Sequence, residues 1–174
     1  MQITERYETA NNAKNLKVEA ENNGAADVLI AAGWSPVRFG MLLMRLHSEY
    51  DGKAKRHGMG ATDALLLVGG LKSLNQAVEQ LTVQAAKWQI AEANHVAKVM
   101  IWHWLNQTCK SCQGRGKQLI PGTPALSERD CPACHGSGKA KAPHGQEGRK
   151  LLNYMDDCTS RAADSLRSRL SNMR

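Results

Sequence analysis

Four cysteines in the second half of the chain are the residues best suited to chemistry. They lie in two matched segments, 109–116 and 131–138, and each segment reads C-x-x-C-x-G-x-G. Eighteen residues separate the two cysteine pairs, which lets four thiolates converge tetrahedrally on one zinc ion at about 2.3 Å each. Two disulfides in a secreted domain are the alternative, which fits poorly because we find no signal peptide. The sequence therefore predicts a zinc site formed by Cys109, Cys112, Cys131 and Cys134.

Two glycines follow each cysteine pair and support this prediction. After the second cysteine of such a knuckle the chain turns sharply and points amide groups at sulfur, which requires positive φ angles. The glycines that supply this freedom are Gly114, Gly116, Gly136 and Gly138. Four cysteines complete the coordination sphere, so we expect one structural zinc ion with no open position for water or substrate. We therefore expect neither a histidine ligand nor catalysis at this metal.

The composition of the remaining sequence favours helices. Of the 174 residues, 42% are hydrophobic, and five prolines with few β-branched runs argue against a large sheet. We predict a mainly α fold, a helical bundle with an inserted four-cysteine zinc-finger module and a C-terminal helix pair. The predicted regions are a polar N-terminal segment (1–34), a helical body (35–108), the zinc-binding module (109–138, the knuckle module), and a basic linker with C-terminal helices that pack on the body (139–174).

Capping residues and apolar spacing place three helices in the body. Ser35 is the predicted N-cap of the first helix, and a basic loop is predicted for residues 51–60. A second helix is predicted from about Thr62 to Ala86, where an apolar seam from Leu67 to Leu81 favours packing against another helix. A third helix is predicted from about Trp88 to Gln107.

The end of the sequence predicts two short helices. The first spans about Gly148 to Met155, and the second begins at Thr159 or Ser160, since either is a good N-cap. A tight turn at residues 156–158 gives the outline of a helix-turn-helix, whose second helix enters the major groove with its N-terminus first. Arg161 would then face the base edges. A plain helical hairpin is the alternative.

Positive charge is concentrated in the last third of the chain. The net charge is +7, of which residues 1–108 carry +1 and residues 109–174 carry +6. A local basic excess is typical of nucleic-acid binding, and a solvated surface is the alternative. We predict that the following residues bind double-stranded DNA: Lys110, Arg115, Lys117, Lys139, Lys141, Arg149, Lys150, Arg161, Arg167 and Arg169.

Several functional classes are not expected from this sequence. It has no run of eighteen apolar residues, so we expect no membrane span and a cytosolic protein with reduced thiols. We find no acidic cluster, no nucleotide-binding loop and no His-x-Glu zinc signature. We therefore expect no enzyme activity and no small-molecule substrate.

The knuckles resemble two known families. Their repeats are similar to the cysteine-rich domain of the J-protein co-chaperones, which carries four repeats and two zinc ions beside a J-domain with His-Pro-Asp. This chain has two repeats and no His-Pro-Asp. The order of a helical body, one knuckle pair and further helices resembles the lambda-type phage late antitermination protein Q family. The four knuckle cysteines match that family in number, spacing and place, and Lys139, Lys141, Arg149 and Lys150 suit it.

Resemblance to the Q family implies a particular function. The protein would act in the bacterial host cytoplasm and bind a DNA element near a phage late promoter. It would engage paused bacterial RNA polymerase that holds sigma factor, and it would promote read-through of terminators. A zinc-dependent module that binds polypeptides, chaperone-like or scaffolding, is the alternative function.

Overall fold

The computed structural model is described for residues 2–13, 24–57, 70–120, 122–123 and 125–172. In these ranges the chain forms six helices and one two-stranded antiparallel sheet. The elements are α1 (Ile3–Asn11), α2 (Ala25–Gly33), α3 (Arg38–His57), α4 (Leu74–Lys87), α5 (Ala93–Leu105), β1 (Lys117–Leu119), β2 (Leu126–Asp130) and α6 (Gly145–Asn172). The predicted mainly α fold with a cysteine cluster is confirmed. None of the described helices has the length and apolar character that a bilayer crossing needs.

The larger hydrophobic core lies between α3, α4, α5 and the first half of α6. Each helix contributes a stripe of apolar side chains at helical spacing. The largest of those with no exposed surface are Leu43, Leu46, Leu81, Met100, Ile101, Leu151 and Met155. At the edge of this core the rings of Phe39 and Trp88 lie 5.7 and 5.5 Å from the ring of Tyr154. These aromatic contacts join α3 and the end of α4 to α6.

A smaller core joins α1 and α2 to the second half of α6. Its buried residues are Ile3, Tyr7, Ala10, Val28, Ala31, Met44, Ala162, Ala163, Leu166 and Leu170. Burial of the Tyr7 ring raises the pKa of its phenol. The sequence predicts a polar segment for residues 1–34, and within its described part α1 and α2 each pack one apolar face inward.

The C-terminal region is one helix of 28 residues, so the predicted helix pair with a turn at 156–158 is wrong. Buried residues continue through the predicted turn at spacings of three or four: Leu151, Met155, Cys158 and Ala162. The Asp156 carboxylate accepts a hydrogen bond from Trp104 Nε1 at 3.0 Å. The Thr159 hydroxyl donates to the Met155 carbonyl at 3.1 Å and caps no new helix. Since residues 156–158 contain no glycine or proline, nothing interrupts the helical periodicity.

The helix boundaries in the body also differ from the predictions. The Ser35 hydroxyl accepts a hydrogen bond from the Val37 amide at 3.3 Å, and α3 begins after it at Arg38. This helix continues to His57, through most of the predicted basic loop. Residues 58–69, which include the start of the predicted second helix and Leu67 of its seam, lie outside the described residues.

Helices α3 and α6 approach each other closely at Gly40. A Cβ atom at this position would overlap the carbonyl oxygen of Cys158 and lie 2.8 Å from the Cβ of Ala162. We predict that Gly40→Ala lowers the free energy of unfolding by about 1–3 kcal/mol, as overpacking of a close contact does. Urea unfolding followed by far-UV circular dichroism measures this change.

The matched control is Gly33→Ala at the end of α2, where a new Cβ would meet no atom within 4 Å. This variant should change the free energy of unfolding by less than about 1 kcal/mol, because only helix propensity and unfolded-state entropy differ. Equal stability of the two variants would contradict the close packing of α3 on α6.

Candidate metal centre

The four predicted ligands converge in one buried cluster. Their sulfur atoms all lie within 4.8 Å of one another, and the Sγ atoms of Cys112 and Cys134 are 3.6 Å apart. Between 2% and 7% of each cysteine is exposed, and all four are free of disulfides. Four thiolates are a soft donor set that suits a transition-metal ion. The cluster can therefore hold one metal ion.

The two knuckles hold each other through a reciprocal pair of backbone hydrogen bonds. The Cys109 amide donates to the Gly138 carbonyl at 2.9 Å, and the Cys131 amide donates to the Gly116 carbonyl at 2.8 Å. Each bond thus joins the first residue of one knuckle to the last residue of the other. The duplication seen in the sequence is therefore a near-twofold arrangement in space, with the sulfur cluster at its centre.

The backbone angles repeat between the knuckles as well. Gly114 and Gly136 both have φ of 83°, and Gly116 and Gly138 have φ of 74° and 69°. Room is also limited, since a Cβ at Gly116 would overlap the Gly136 carbonyl oxygen and one at Gly138 would overlap the Gly114 carbonyl oxygen. All four glycines thus meet the conformational requirement, and Gly116 and Gly138 meet the steric requirement as well.

Two non-glycine residues share this strained conformation, and the sequence analysis missed them. Gln113 and His135 directly follow the second cysteine of each knuckle and have φ of 52° and 49°. Their equivalent positions in the repeat are the signal that could have identified them. His135 is exposed and is not among the clustered ligands.

Hydrogen bonds distribute negative charge unequally among the thiols. Burial alone would raise the pKa of Cys112, but the Gly116 amide, 3.3 Å from its sulfur, and the neighbouring thiols lower this pKa to about 7. Burial and the hydrogen bonds to the other thiols raise the pKa of Cys134 to about 11. A metal ion that needs all four thiolates must therefore displace protons at neutral pH, and acid should weaken its binding.

A short neck connects the knuckle module to the helical body. Thr108 forms an antiparallel bridge with Lys139, and the Ala140 amide donates to the Gln107 carbonyl at 2.7 Å. Between the knuckles, β1 and β2 form a hairpin in which Lys117 pairs with Asp130 at 2.7 Å. Every described residue of β2 except Ser127 is exposed. The hairpin therefore projects from the knuckles.

Five of the predicted DNA-binding residues surround the knuckles. Lys110, Arg115, Lys139 and Lys141 are exposed, whereas Lys117 is partly exposed and bound to Asp130. Residues 109–141 contain six Lys or Arg and two Asp or Glu. Four of these five predicted residues are therefore exposed in or next to the knuckle module, and so is Arg129.

The other five lie along α6, where the charge is mixed. This helix contains five Lys or Arg and four Asp or Glu. Of the predicted residues, Arg149, Lys150, Arg161 and Arg167 are exposed and Arg169 is half-buried. The Lys150 ammonium lies 4.2 Å from the centre of the Trp88 ring, and Arg167 pairs with Asp164 at 2.5 Å.

The predicted place of Arg161 at the start of a recognition helix is wrong. Arg161 lies inside α6, and its Nε donates to the Asp157 carbonyl at 3.3 Å while its Nη2 lies 3.4 Å from Cys158 Sγ. A side chain in the middle of a long packed helix has no N-terminal access to a groove. The α6 arginines therefore do not form a helix-turn-helix reading head.

A second cluster of potential ligands was not anticipated from the sequence. The ligand atoms of Glu8, His47 and Asp51 lie within 4.8 Å of one another, and His47 Nδ1 is 3.0 Å from Glu8 Oε1. His47 also contacts the ring of Trp104 with a centroid distance of 5.6 Å. We assign this cluster to packing, because it joins α1 to α3 and α5. His47 and Asp51 are four residues apart on α3, a spacing that the sequence shows. Glu8 comes from α1, so the sequence did not indicate that it joins them.

Comparisons with known proteins do not identify this arrangement. No protein-family model, no curated protein and no solved structure matches the chain. The chemistry of the residues and the resemblance of the knuckles are therefore what indicate a function for this protein.

The contact between the knuckles generates a prediction for metal affinity. Gly138→Ala should weaken metal binding about tenfold or more, because overpacking costs about 1–3 kcal/mol and metal binding is coupled to folding of such modules. Competition with a chromophoric chelator measures the affinity.

Gly122→Ala is the matched control for backbone strain. Gly122 also has a positive φ of 79°, but a Cβ there would meet nothing within 4 Å. Gly122→Ala should therefore introduce backbone strain without a steric overlap. Its metal affinity should stay near that of wild type, since the hairpin tip is remote in sequence from the sulfur ligands. Equal losses in both variants would show that the knuckles do not depend on close contact.

Proposed function

We propose that the cysteine cluster binds one zinc ion with a structural role. Four sulfurs at about 2.3 Å from a tetrahedral zinc ion would lie about 3.8 Å from one another, and the measured Cys112–Cys134 separation is 3.6 Å. Four protein ligands leave no position for substrate. The ion would therefore hold the two knuckles together and take no part in a reaction.

Freshly purified protein should contain one zinc ion per chain by mass spectrometry of metals. Cys109→Ser and Cys134→Ser should lose the ion and the hydrogen-exchange protection of residues 109–138, because binding free energy is folding free energy in such modules. Cys158→Ser is the control, since Cys158 is buried in the helical body and should leave the zinc content unchanged. Wild type without zinc, or with iron in its place, would contradict this proposal.

We also propose that the protein is a phage-type transcription antitermination factor. It binds duplex DNA near a late promoter, engages sigma-containing bacterial RNA polymerase, and promotes read-through of terminators in the bacterial host cytoplasm. The observation that supports DNA binding is the group of exposed basic residues in and directly after the knuckle module: Lys110, Arg115, Lys139 and Lys141. DNA binding alone does not indicate antitermination. That part of the proposal is based on the resemblance of the knuckle pair to the Q family.

This function makes the protein a binding factor rather than an enzyme. The zinc site is closed by its ligands, and the basic residues suit phosphate contacts, which position a protein on DNA without chemical change. Exposed lysines carry their charges on long flexible side chains, so they can adapt to phosphates without reading the base sequence. The mixed charge of α6 makes its arginines secondary contacts in this proposal.

A polypeptide-binding module is the second candidate, and one observation favours it. Ile120 and Leu126 flank the hairpin tip and are 41% and 46% exposed. Exposed apolar side chains on a projecting hairpin suit contact with an unfolded or extended polypeptide. The net positive charge of residues 109–141 favours nucleic acid instead.

Two measurements test the proposed function. Binding to duplex DNA should weaken steeply with salt, because neutralised phosphates release counterions. Lys139→Ala and Lys141→Ala should each weaken binding to all duplexes and reduce the salt slope by about one unit per lost contact. In transcription with a late promoter and a downstream terminator, wild type should raise read-through and the double variant should lose most of this effect.

Lys98→Ala is the matched control, because Lys98 is an exposed lysine of α5 outside the basic group. It should leave the salt slope and the read-through unchanged. Affinity that does not depend on salt would contradict DNA binding. Binding to a denatured polypeptide that requires Ile120 and Leu126 would favour the second candidate.

A further inference from the structure

A large groove lies between α1, α2, α3 and α4. Its volume is about 840 Å³, which is within the range of ligand-binding clefts. The lining combines apolar side chains of α2 and α3 with amide side chains of α1 and α4 and two arginines, Arg38 and Arg45. Among the described residues that line it, none is acidic. The groove therefore suits a ligand that is both apolar and negatively charged.

Trp34 gives this groove an exposed aromatic anchor. This side chain lines the groove and is 67% exposed. Ile30, four residues earlier, is 44% exposed next to the groove but does not line it. Large apolar side chains that remain open to water in a groove are typical of protein interaction sites, and tryptophan and arginine are enriched among residues that dominate binding.

The backbone around Trp34 is fixed even though its side chain is open. The Trp34 amide donates to the Ile30 carbonyl at 3.2 Å. The next residue, Ser35, is buried, and its hydroxyl lies 3.2 Å from the Ser165 hydroxyl on α6. The anchor is thus attached to a packed part of the body, so little order has to be gained when a partner binds.

The two arginines are placed to receive carboxylates. Arg38 and Arg45 are seven residues apart on α3, so they lie on the same side of the helix about two turns apart. Arg45 Nε lies 3.3 Å from Glu49 Oε1, and that carboxylate also accepts hydrogen bonds from the Ser73 amide and hydroxyl. Glu49 therefore already neutralises part of the Arg45 charge, and the exposed Arg38 is the more available of the two arginines.

We propose that the groove at Trp34 binds an acidic amphipathic helix of a protein partner. The apolar face of that helix would contact Trp34 and the apolar lining, and its carboxylates would pair with Arg38 and Arg45. In helix-in-groove recognition, apolar side chains three and four residues apart on the bound helix enter a groove on the partner. An open groove between helices, such as this one, suits that mode. Only the identity of the partner depends on the proposed function, under which the acidic helix belongs to RNA polymerase holoenzyme.

The groove is tested first with a designed peptide and the full-length protein. The probe is a fluorescein-labelled helical peptide with leucine at i, i+3, i+4 and i+7 and glutamate elsewhere, compared with the same peptide carrying lysine for glutamate. The glutamate peptide should bind wild type, and Trp34→Ala and Arg38→Glu should each weaken it about tenfold or more. The lysine peptide should bind about tenfold more weakly than the glutamate peptide.

Matched controls separate groove binding from general effects of charge and apolar area. Val83→Ala removes another exposed apolar side chain, and Lys87→Glu reverses an exposed charge, and neither residue lines the groove. Both should keep wild-type peptide affinity. Equal affinity for wild type and Trp34→Ala, or no difference between the two peptides, would overturn the proposal. Displacement of the peptide by ATP would also overturn it in favour of a nucleotide site.

Purified bacterial RNA polymerase, with and without sigma factor, then tests the partner. Trp34→Ala should lose polymerase binding about tenfold while it keeps wild-type zinc content and DNA affinity. If the glutamate peptide binds through Trp34 but polymerase does not bind wild type, the groove stands and the antitermination function fails. If polymerase binds wild type and Trp34→Ala equally, the groove does not serve that partner.

Discussion

The close contact between α3 and α6 is the constraint on which the helical body depends. Gly40 has no side chain, which lets the α3 backbone lie directly against the carbonyl of Cys158 and the methyl group of Ala162. On one side of this contact lies the larger core, and on the other lies the smaller core with α1 and α2. Both cores use the same two helices. A break in α6 near Cys158 would therefore separate them, which explains why the apolar spacing runs through this region without interruption.

The knuckle module is stabilised in a different way from the body. Its buried residues are the four cysteines, which form a cluster of their own apart from both hydrophobic cores. Its other ties are backbone hydrogen bonds between the knuckles and across the neck at Gln107 and Ala140. With so little apolar surface to bury, the module would draw its folding free energy from the proposed metal ion. The body has hydrophobic cores of its own and would not need that ion to fold.

The sequence predicted those features that depend on local chemistry. Two spaced cysteine pairs with paired glycines were sufficient to predict that the four cysteines converge in one cluster, because a tetrahedral metal site tolerates few other spacings. Good N-cap residues at 159 and 160 misled the prediction at the C-terminus, since tertiary burial of Cys158 and the Trp104–Asp156 hydrogen bond override local capping preference. The packing of α1 and the groove at Trp34 depend on contacts between distant helices, which one sequence does not reveal.

A continuous α6 also determines how the two proposed binding surfaces are related. The knuckle module joins α6 at Gly145, and the Trp34 groove touches the same helix through the contact between Ser35 and Ser165. These positions are twenty residues apart, which is about 30 Å along an α-helix. A helix-turn-helix at residues 156–158 would place a bend between them, whereas one rigid helix holds them at a fixed separation. Under the proposed function, this separation would let the protein contact DNA through the module while the groove holds a polymerase segment, without one partner blocking the other.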